Sequence, residues 1–307
     1  MTKKSRRRKA RKKKTQYQKK PEQRQIKSKH LIDIVMPIFG EFALAERAIK
    51  RVQAACAPLQ GHEYRLIVVD NGTPDWISQD EQKKVTPETM AEPIKELIRG
   101  HDLFYRIEQN IGYPGGVNDA VSKGRSPLIL ILTADVFMEP GSINEMVRAM
   151  DNGDLGVCGP KLLFPTEIES PHGPGGTIQH AGLAFSIQGK PYHVFIGWSA
   201  DHPKANIRRD VAAVTGACFM TRRNLWNQIG GFDTRYGLGT FEDLDYCFAI
   251  RSGGKGVYYI PEAVGYHLVN GARLQGANQS GFNLPMNEVI FRGKWAHMLA
   301  WDEWRYL

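Results

Sequence analysis

Cysteine is scarce in this chain, which has four cysteines among 307 residues. They are Cys56, Cys158, Cys218 and Cys247, and no two of them form a C-x-x-C pair. This usage argues against a zinc or disulfide framework and is typical of a reduced intracellular protein. No apolar run approaches the roughly 20 residues of a membrane helix, and the N-terminus lacks the apolar segment of a secretory signal. These absences predict a cytoplasmic protein without a transmembrane segment.

Acidic residues are almost absent from the first 29 residues, which hold ten lysines and five arginines against Glu22 alone and so carry a net charge of +14. Residues 30–307 hold the other 26 basic and 31 acidic side chains, a net charge of −5. A self-repelling segment with little to bury is predicted to be a disordered basic tail. Such a tail can contact nucleic acid, an anionic membrane surface or another polyanion, and a solubilising or targeting role explains it equally well.

Instead of long hydrophobic segments, the body shows short aliphatic runs that alternate with helical patterns. Strands are predicted over residues 31–37, 64–70, 103–109 and 127–135. Helices are predicted over residues 42–56 and 87–100, and after Asp135, where Ser142 and Glu145 stand in capping-box register. Alternating strands and helices predict a mainly parallel sheet covered on both faces.

Each of these four predicted strands ends at a proline or at a polar residue. Pro37, Asp70, Asn110 and Asp135 lie at or just beyond the carboxyl ends of the four predicted strands. In open α/β sheets ligands bind outside these ends. Two carboxylates, an amide and a rigid turn at one edge therefore predict a binding site.

The second half of the chain has a weaker pattern. Residues 160–210 are rich in glycine, proline and histidine and are predicted to form long loops with short strands. The elements predicted after them are strands over 211–223 and 257–268, helices starting at Asn224 and over 240–254, and a terminal helix over 287–304.

A glycine-rich segment, QNIGYPGGVNDAV at residues 109–121, precedes a predicted helix. Backbone N–H groups at such a helix start can bind an anion. The segment is neither a G-x-G-x-x-G fingerprint nor a P-loop, because no GK[ST] comes after it. It is compatible with a phosphate-binding loop and with a plain turn.

Three acids, Glu242, Asp243 and Asp245, crowd the start of the helix predicted over 240–254. Acids interact favourably with the positive end of a helix dipole, and Thr240 can cap the helix. That structural role explains why acids occur there but not why three of them gather.

His267 ends the last predicted strand. An isolated histidine there is usually a hydrogen-bonded core residue. One carboxylate and one imidazole, completed by phosphate oxygens and water, would also make a divalent-metal site. His180 and His193 allow the same two interpretations, with no carboxylate beside them in the sequence.

Taken together, the segments resemble the family-2 glycosyltransferases, which have the GT-A nucleotide-sugar fold. The resemblance runs from about residue 31 to about residue 267 and depends on eight segments in the family's order. They are DIVMPIFG, VVDNGTPD, QNIGYPGGVNDAV, LILTADVFMEPGSI, TIQHAGLAF, VTGACFMTRRNLWNQIGGFD, FEDLDYCFAIRSGG and YIPEAVGYH. The resemblance implies a GT-A, Rossmann-like α/β domain over 30–307, with a nucleotide-binding half over about 30–150 and an acceptor-binding and catalytic half over about 151–307.

The resemblance also implies roles for individual residues. Residues matching the base- and ribose-binding positions are Pro37, Ile38, Phe39 and Asp70. Residues matching the segment beside the nucleotide and its diphosphate are Asn110, Gly112, Gly115, Gly116 and Asn118. Ala134 and Asp135 match the acidic motif, and Gly216, Ala217 and Cys218 match positions near the transferred sugar. Asp243, in a pair with Glu242, matches the catalytic base, and Asp135 and His267 match ligands of Mg²⁺ or Mn²⁺.

The implied reaction is inverting transfer of a hexosyl or deoxyhexosyl group from a nucleotide-diphospho-sugar, with a UDP-sugar the commonest donor in the family. A metal ion would neutralise the leaving diphosphate, and Asp243 would remove the proton of the acceptor hydroxyl. Because Thr133 and Ala134 stand where other members have acids, Asp135 would hold the metal almost alone. The acceptor stays open among a glycan, a lipid-linked molecule, a protein and a nucleic acid.

Two other functions compete with this one. The first is a nucleic-acid- or scaffold-binding protein that uses its basic tail and has a degenerate transferase core. The second is a glycoside hydrolase, which also uses two carboxylates. A hydrolase does not need the strand-end acid or the glycine-rich segment, so it ranks third.

Overall fold

The structure, a computed structural model, describes residues 30–57, 59, 63–77, 84–166, 173–268, 283–300, 302 and 306. The predicted basic tail, residues 1–29, lies outside the described residues, and its boundary stays a prediction. No helix in the described part of the chain is both long enough and apolar enough to cross a bilayer.

Fourteen strands and eight α-helices are described. The strands are β1 (Ile32–Ile38), β2 (Tyr64–Asn71), β3 (Trp76–Ile77), β4 (Lys84–Val85), β5 (Leu103–Ile107), β6 (Leu128–Leu132), β7 (Val136–Met138), β8 (Leu155–Leu163), β9 (Ile178–His180), β10 (Leu183–Phe185), β11 (Pro191–His193), β12 (Arg209–Asp210), β13 (Cys218–Arg222) and β14 (Gly256–His267). The helices are α1 (Phe42–Ala55), α2 (Pro87–Met90), α3 (Glu92–Leu97), α4 (Gly112–Ser122), α5 (Ser142–Ala149), α6 (Arg223–Ile229), α7 (Glu242–Ser252) and α8 (Leu284–Trp295). Short 3-10 turns cover Pro203–Asn206, Thr234–Tyr236 and Ala296–Met298.

Ten strands form the main sheet, whose principal order is β12-β14-β8-β13-β6-β1-β2-β5. Strand β1 pairs in parallel with both β2 and β6, so the predicted strands of the first half lie side by side. Strand β13 runs antiparallel between β6 and β8 and brings the second half of the chain to the same edge.

Side chains of alternate residues cover the two faces of the sheet, as the period-two geometry of strands requires. In β6, Leu130 packs on the face that α1 covers, whereas Ile129 and Ile131 pack with residues of α4 and α7 on the other face. All five residues of β6 are buried. The run therefore needs no polar residue until it ends, and burial on both faces fixes the position of the turn that leads to Asp135.

The expected α/β fold with a central sheet flanked by helices is confirmed. Its main sheet is mixed, with four parallel and five antiparallel strand pairings among the described residues, whereas the sequence pattern predicts a mainly parallel sheet. Two further expectations also differ from the structure. Residues 211–217 precede β13 instead of belonging to it, and strand β8 replaces part of the loop region expected from residue 160. Glycine is unusual inside a strand, so the sequence pattern did not predict β8. Close packing explains Gly159, because a Cβ there would lie 2.7 Å from Cβ of Val214.

Two expected helix caps are also different. Helix α5 has Gly141 at its N-cap, and the Ser142 hydroxyl accepts a hydrogen bond from the backbone N–H of Val264 (2.9 Å) instead. Helix α7 has Phe241 at its N-cap and no side-chain cap, so Thr240 does not act as one.

Candidate active site

The parallel strands β1, β2 and β6 end at one edge of the sheet. Ile38, the last residue of β1, stands opposite Asp70 of β2, and Val35 stands opposite Ile131 of β6. In the antiparallel neighbour, Cys218 faces Leu132. This register gathers the first loop, Asp70, the turn after β6 and the residues before β13, as the strand-end argument requires.

Asp70 is buried at this edge and is held by a small hydrogen-bond network. One carboxylate oxygen accepts from the backbone N–H and the hydroxyl of Thr73, and the other accepts from Arg106 at 2.5 Å. The Thr73 hydroxyl in turn accepts from the N–H of Gly40. The network therefore fixes the first loop, which begins at Phe39 directly after Pro37 and Ile38 of β1, against the end of β2.

The glycine-rich segment forms the start of α4, and its glycines allow close packing. A Cβ at Gly116 would lie 3.0 Å from the side-chain amide of Asn71, and one at Gly115 would meet Ile111. Asn71 donates to the side-chain oxygen of Asn110 (3.1 Å) and to the carbonyl of Gly112 (3.0 Å). The segment is thus fixed to the end of β2 beside the predicted donor-binding residues.

Asn118 lies further along α4, where its amide exchanges two hydrogen bonds with the backbone of Phe232. Asn118 thus links α4 to the turn after α6 through these two hydrogen bonds. Its predicted role beside the donor stays a prediction.

Gly112 joins α4 to the loop before α7. Its φ is +78°, and a Cβ there would lie 2.0 Å from the carbonyl oxygen of Gly237. We expect Gly112→Ala to lower the free energy of unfolding by at least about 2 kcal/mol, because left-handed strain adds to a backbone clash. Gly230→Ala is the matched control, since Gly230 also has a positive φ but nothing within 4 Å. Equal losses for the two variants in urea unfolding would show that the contact with Gly237 does not matter.

Asp135 and His267 meet where β7 pairs with the end of β14. Oδ2 of Asp135 lies 3.4 Å from Nε2 of His267, and Oδ1 accepts from the Thr133 hydroxyl at 2.6 Å. Nδ1 of His267 lies 3.2 Å from Oε1 of Gln179, so a proton on Nδ1 would be donated to Gln179 and would leave the Nε2 lone pair available for a cation beside Asp135. A carboxylate oxygen and an imidazole nitrogen that face each other in this way fit a divalent cation.

Within the described residues, no three His, Cys, Asp or Glu side chains gather closely enough to hold a metal ion. An ion at Asp135 and His267 would have these two side chains as ligands, and the donor diphosphate and water could supply further oxygen ligands. Ala134, between Thr133 and Asp135, is buried and offers no ligand atom in its side chain.

Asp243 faces the same turn from the start of α7. Its Oδ2 accepts from the N–H of Gly216 (2.7 Å) and its Oδ1 from the N–H of Leu244 (2.8 Å). Ala217, the next residue before β13, accepts a hydrogen bond from the backbone N–H of Thr133 at 2.9 Å. The predicted base and the predicted metal ligand are thus joined through Gly216 and Ala217.

Tyr113 completes this group, and sequence reasoning missed it. Its hydroxyl donates to the carbonyl of Gly216 at 2.7 Å, so Gly216 is held on both sides, by Tyr113 and by Asp243. Burial and the nearby carboxylates of Glu242, Asp243 and Asp135 raise the pKa of Tyr113 well above its usual value, so its hydroxyl stays protonated. The available signal was its position inside the glycine-rich segment.

Glu242 and Asp243 form an unequal pair of carboxyl groups. Burial and the charge of Asp243 raise the pKa of Glu242 well above its ordinary value. Burial also raises the pKa of Asp243, but its hydrogen bonds from Gly216 and Leu244 favour the ionised form. Oε2 of the buried Glu242 has no hydrogen-bond partner among the described residues. Glu242 is therefore the better of the two sites for a proton.

Glu41, at the end of the first loop, is a second residue that the sequence reasoning missed. Burial and the charges of Asp135 and Asp70 raise its pKa to about 7, opposed by a hydrogen bond from the N–H of Phe39. Its carboxyl group is therefore close enough to Asp135 and Asp70 for both charges to act on it. Its position just after the first strand's loop was the available signal.

Glu41 gives a pH-dependent prediction for stability. Its pKa is about 4.5 in the unfolded chain and about 7 in the folded one, so its contribution is lost as the pH rises through this window. We expect Glu41→Gln to stabilise the protein more at pH 8 than at pH 5, by roughly 2 kcal/mol. Glu46→Gln, which removes only the surface ion pair with Lys50, is the control. If the free energy of unfolding changed equally with pH in the wild type and in Glu41→Gln, the assignment would be wrong.

His180 and His193 contact each other and lie behind the site. Their Nδ1 atoms are 2.9 Å apart, and Nε2 of the buried His180 accepts from the N–H of Thr215 at 3.4 Å. Burial and the neighbouring histidines lower the pKa of His180 well below its ordinary value. His180 is therefore neutral and can accept the hydrogen bond from Thr215, the residue before Gly216.

Comparison with known proteins gives a consistent picture. Residues 33–230 match the family model described as Glycosyl transferase family 2. The chain is 26% identical over 223 residues to an uncharacterized protein of Sinorhizobium fredii, and this match covers 68% of the chain but spans 22% of that relative. It is 25% identical over 240 residues to the N-acetylglucosaminyl-diphospho-decaprenol L-rhamnosyltransferase of Mycobacterium tuberculosis, which covers 76% of each protein.

Among solved structures, the crystal structure of GalNAc-T7 with UDP, GalNAc and Mn²⁺ superposes with a TM-score of 0.58. That match covers 77% of this chain and 42% of the other, at 14% identity, and shows a shared fold. The family match ends at residue 230, so Asp243 and His267 lie beyond it.

Proposed function

The chain belongs to glycosyl transferase family 2, and from that premise we propose that it transfers a sugar from a nucleotide-diphospho-sugar to an acceptor hydroxyl with inversion at the anomeric carbon. The observation that carries this proposal is the hydrogen bond between Gly216 and Asp243 beside the turn that holds Asp135. It supports the proposal because it links the residue proposed as the base to the turn of the residue proposed as the metal ligand, through Gly216 and Ala217.

Donor binding is proposed at the edge formed by β1, β2 and β6. The first loop and Asp70 would hold the base and ribose, and the residues from Asn110 to Gly116 would lie beside the diphosphate. The network of Asp70 with Thr73 and Arg106 supports this proposal, because it holds the loops rigid before a ligand arrives.

Asp135 and His267 are the residues that would hold Mg²⁺ or Mn²⁺. When bound, the ion would supply positive charge to the leaving nucleoside diphosphate. Thr133 and Gln179 support this role, because their hydrogen bonds orient the two ligand side chains.

Asp243 is the proposed general base. Its backbone hydrogen bonds orient it and favour its ionised form, and Glu242 is the better of the two sites for a proton. As the acceptor oxygen attacks the anomeric carbon, its proton would pass to Asp243 while the bond from that carbon to the diphosphate breaks. No covalent sugar-enzyme bond is needed, so one displacement inverts the anomeric centre.

Release of nucleoside diphosphate from a panel of nucleotide-sugars tests this function. The panel includes UDP-linked hexoses and a nucleotide-linked rhamnose, because the Mycobacterium relative is named as a rhamnosyltransferase. Acceptors include free glycans and a polyprenol-linked sugar, which matches the decaprenol in the same name. We expect release that Mn²⁺ or Mg²⁺ stimulates and that an acceptor accelerates. Nucleotide-independent cleavage of a glycoside would favour the hydrolase instead.

A further inference from the structure

The loop between the 3-10 turn Thr234–Tyr236 and helix α7 has an unusual backbone. Four of its residues, Gly237, Gly239, Thr240 and Phe241, have φ values of +60°, +129°, +76° and +71°. Thr240 and Phe241 have side chains, and left-handed residues of this kind cost of order 1–3 kcal/mol each. Such a conformation persists only where its surroundings hold it.

This loop sets the direction in which α7 begins. Phe241 is the N-cap of α7, and Glu242 and Asp243 are its first two residues. A change in the backbone at Thr240 or Phe241 would therefore rotate the Asp243 carboxylate away from Gly216.

Asn287 of α8 is buried against this loop. Its side-chain nitrogen lies within hydrogen-bond distance of the carbonyl oxygens of Tyr236 (3.1 Å), Gly239 (2.8 Å) and Thr240 (3.1 Å), and of the Thr240 hydroxyl (3.0 Å). The two amide protons are shared among these four oxygens. One side chain thus satisfies carbonyl groups that the left-handed backbone turns away from any helix or strand.

Other contacts hold α8 in place beside the loop. The Phe291 ring lies 5.4 Å from the Phe241 ring. Lys294 and Trp295 donate to the buried carboxylate of Asp245 on α7. Asn287 is nevertheless the residue of α8 that bonds the strained backbone itself.

We propose that Asn287 is a positioning residue that holds the Tyr236–Phe241 backbone and thereby directs Asp243 at Gly216. This inference rests on the proposed function for the role of Asp243 as a base. Asn287 does not itself contact the reacting groups.

The test compares Asn287→Ala with Asn283→Ala. Asn283 caps the same helix by accepting from the N–H of Met286, and it does not bond the loop. We expect Asn287→Ala to raise hydrogen exchange of the amides of Leu244 and Asp245, which donate to the Asp243 carboxylate and the Phe241 carbonyl, at least about fivefold, the effect of roughly one lost net hydrogen bond. We expect turnover at saturating donor to fall about tenfold, with the donor KM nearly unchanged. Asn283→Ala should change neither value, although it lowers thermal stability. Equal exchange at Leu244 and Asp245 in the two variants would overturn the proposal.

A second variant separates positioning from general stability. Thr240→Gly removes a left-handed side chain, because glycine adopts positive φ without steric cost. The double variant Asn287→Ala with Thr240→Gly should therefore recover several-fold in turnover and in exchange protection relative to Asn287→Ala, and it keeps the test open if the single variant folds poorly. No recovery in either measurement would overturn the proposal. If the wild type turns over no nucleotide-sugar, the proposed function fails, whereas the exchange comparison still decides the role of Asn287.

Discussion

Asp243→Asn is expected to lower sugar transfer by about 10²–10⁴-fold, the usual contribution of a general base. The amide keeps the size of the carboxylate, and its one oxygen can still accept from one of the two N–H groups of Gly216 and Leu244, so most of the local packing should survive. It cannot take a proton from the acceptor. The donor Kd should stay within about threefold, because the lost interaction acts in the transition state.

Asp245→Asn is the matched control for this result. It makes the same chemical change two residues further along α7, at a carboxylate that bonds Lys294 and Trp295 instead of facing Gly216. We expect its effect on turnover per folded molecule to be small. A similar loss in both variants would show that the acids of α7 serve the helix and not the reaction. Steady-state release of nucleoside diphosphate, with folding checked by thermal unfolding, measures both.

Asp135→Asn is expected to lower metal-stimulated turnover by about a hundredfold or more, because Asp135 would be the carboxylate ligand of the metal ion and neither neighbouring residue can replace it. Thr133 and Ala134 offer no second carboxylate, and His267 is the one imidazole that faces Asp135 among the described residues. The apparent affinity for Mn²⁺ should fall together with the turnover. A metal titration of activity measures both quantities.

Thr133→Val gives the matched control. It removes the hydroxyl that donates to Oδ1 of Asp135 but keeps the side-chain shape and the ligand itself. Since partners of metal ligands typically contribute 10–100-fold, its loss should be smaller than that of Asp135→Asn. An unchanged metal dependence in Asp135→Asn would remove Asp135 from the metal-binding role.

Most of the first half of the fold could be predicted because β1, β2 and β6 are almost entirely buried and appear in the sequence as nearly continuous aliphatic runs. Strand β6 ends at Leu132, and Asp135 comes within three residues of that end. From that spacing the strand-end rule leads to the site without any knowledge of tertiary contacts. Asp70 was found in the same way at the end of β2.

The parts that the sequence could not predict depend on contacts between distant segments. Strand β8 contains Gly159 and the buried Lys161, whose amino group bonds the carbonyl of Ala200 and the side chain of Asn206. Neither residue is typical of a central strand until those partners are known. Tyr113 was missed for the same reason, because its contact with Gly216 joins residues 103 positions apart.

The left-handed backbone at Thr240 and Phe241 was also beyond sequence reasoning. Positive φ is usually signalled by glycine, and neither residue gives that signal. The sequence therefore suggested an ordinary Thr240 cap. The tertiary contacts of Asn287 explain why the chain adopts the costlier conformation.

Thermal unfolding with nucleotide-sugars, with and without Mn²⁺, tests the central claim most directly. A ligand at 100 times its Kd stabilises the folded state by about 2.7 kcal/mol, which for a domain of this size raises Tm by roughly 5 °C or more. The account predicts such a rise for at least one nucleotide-sugar, a larger rise with Mn²⁺, and loss of the Mn²⁺ increment in Asp135→Asn. No stabilisation by any nucleotide-sugar in the presence of Mn²⁺, or an undiminished Mn²⁺ increment in Asp135→Asn, would contradict it.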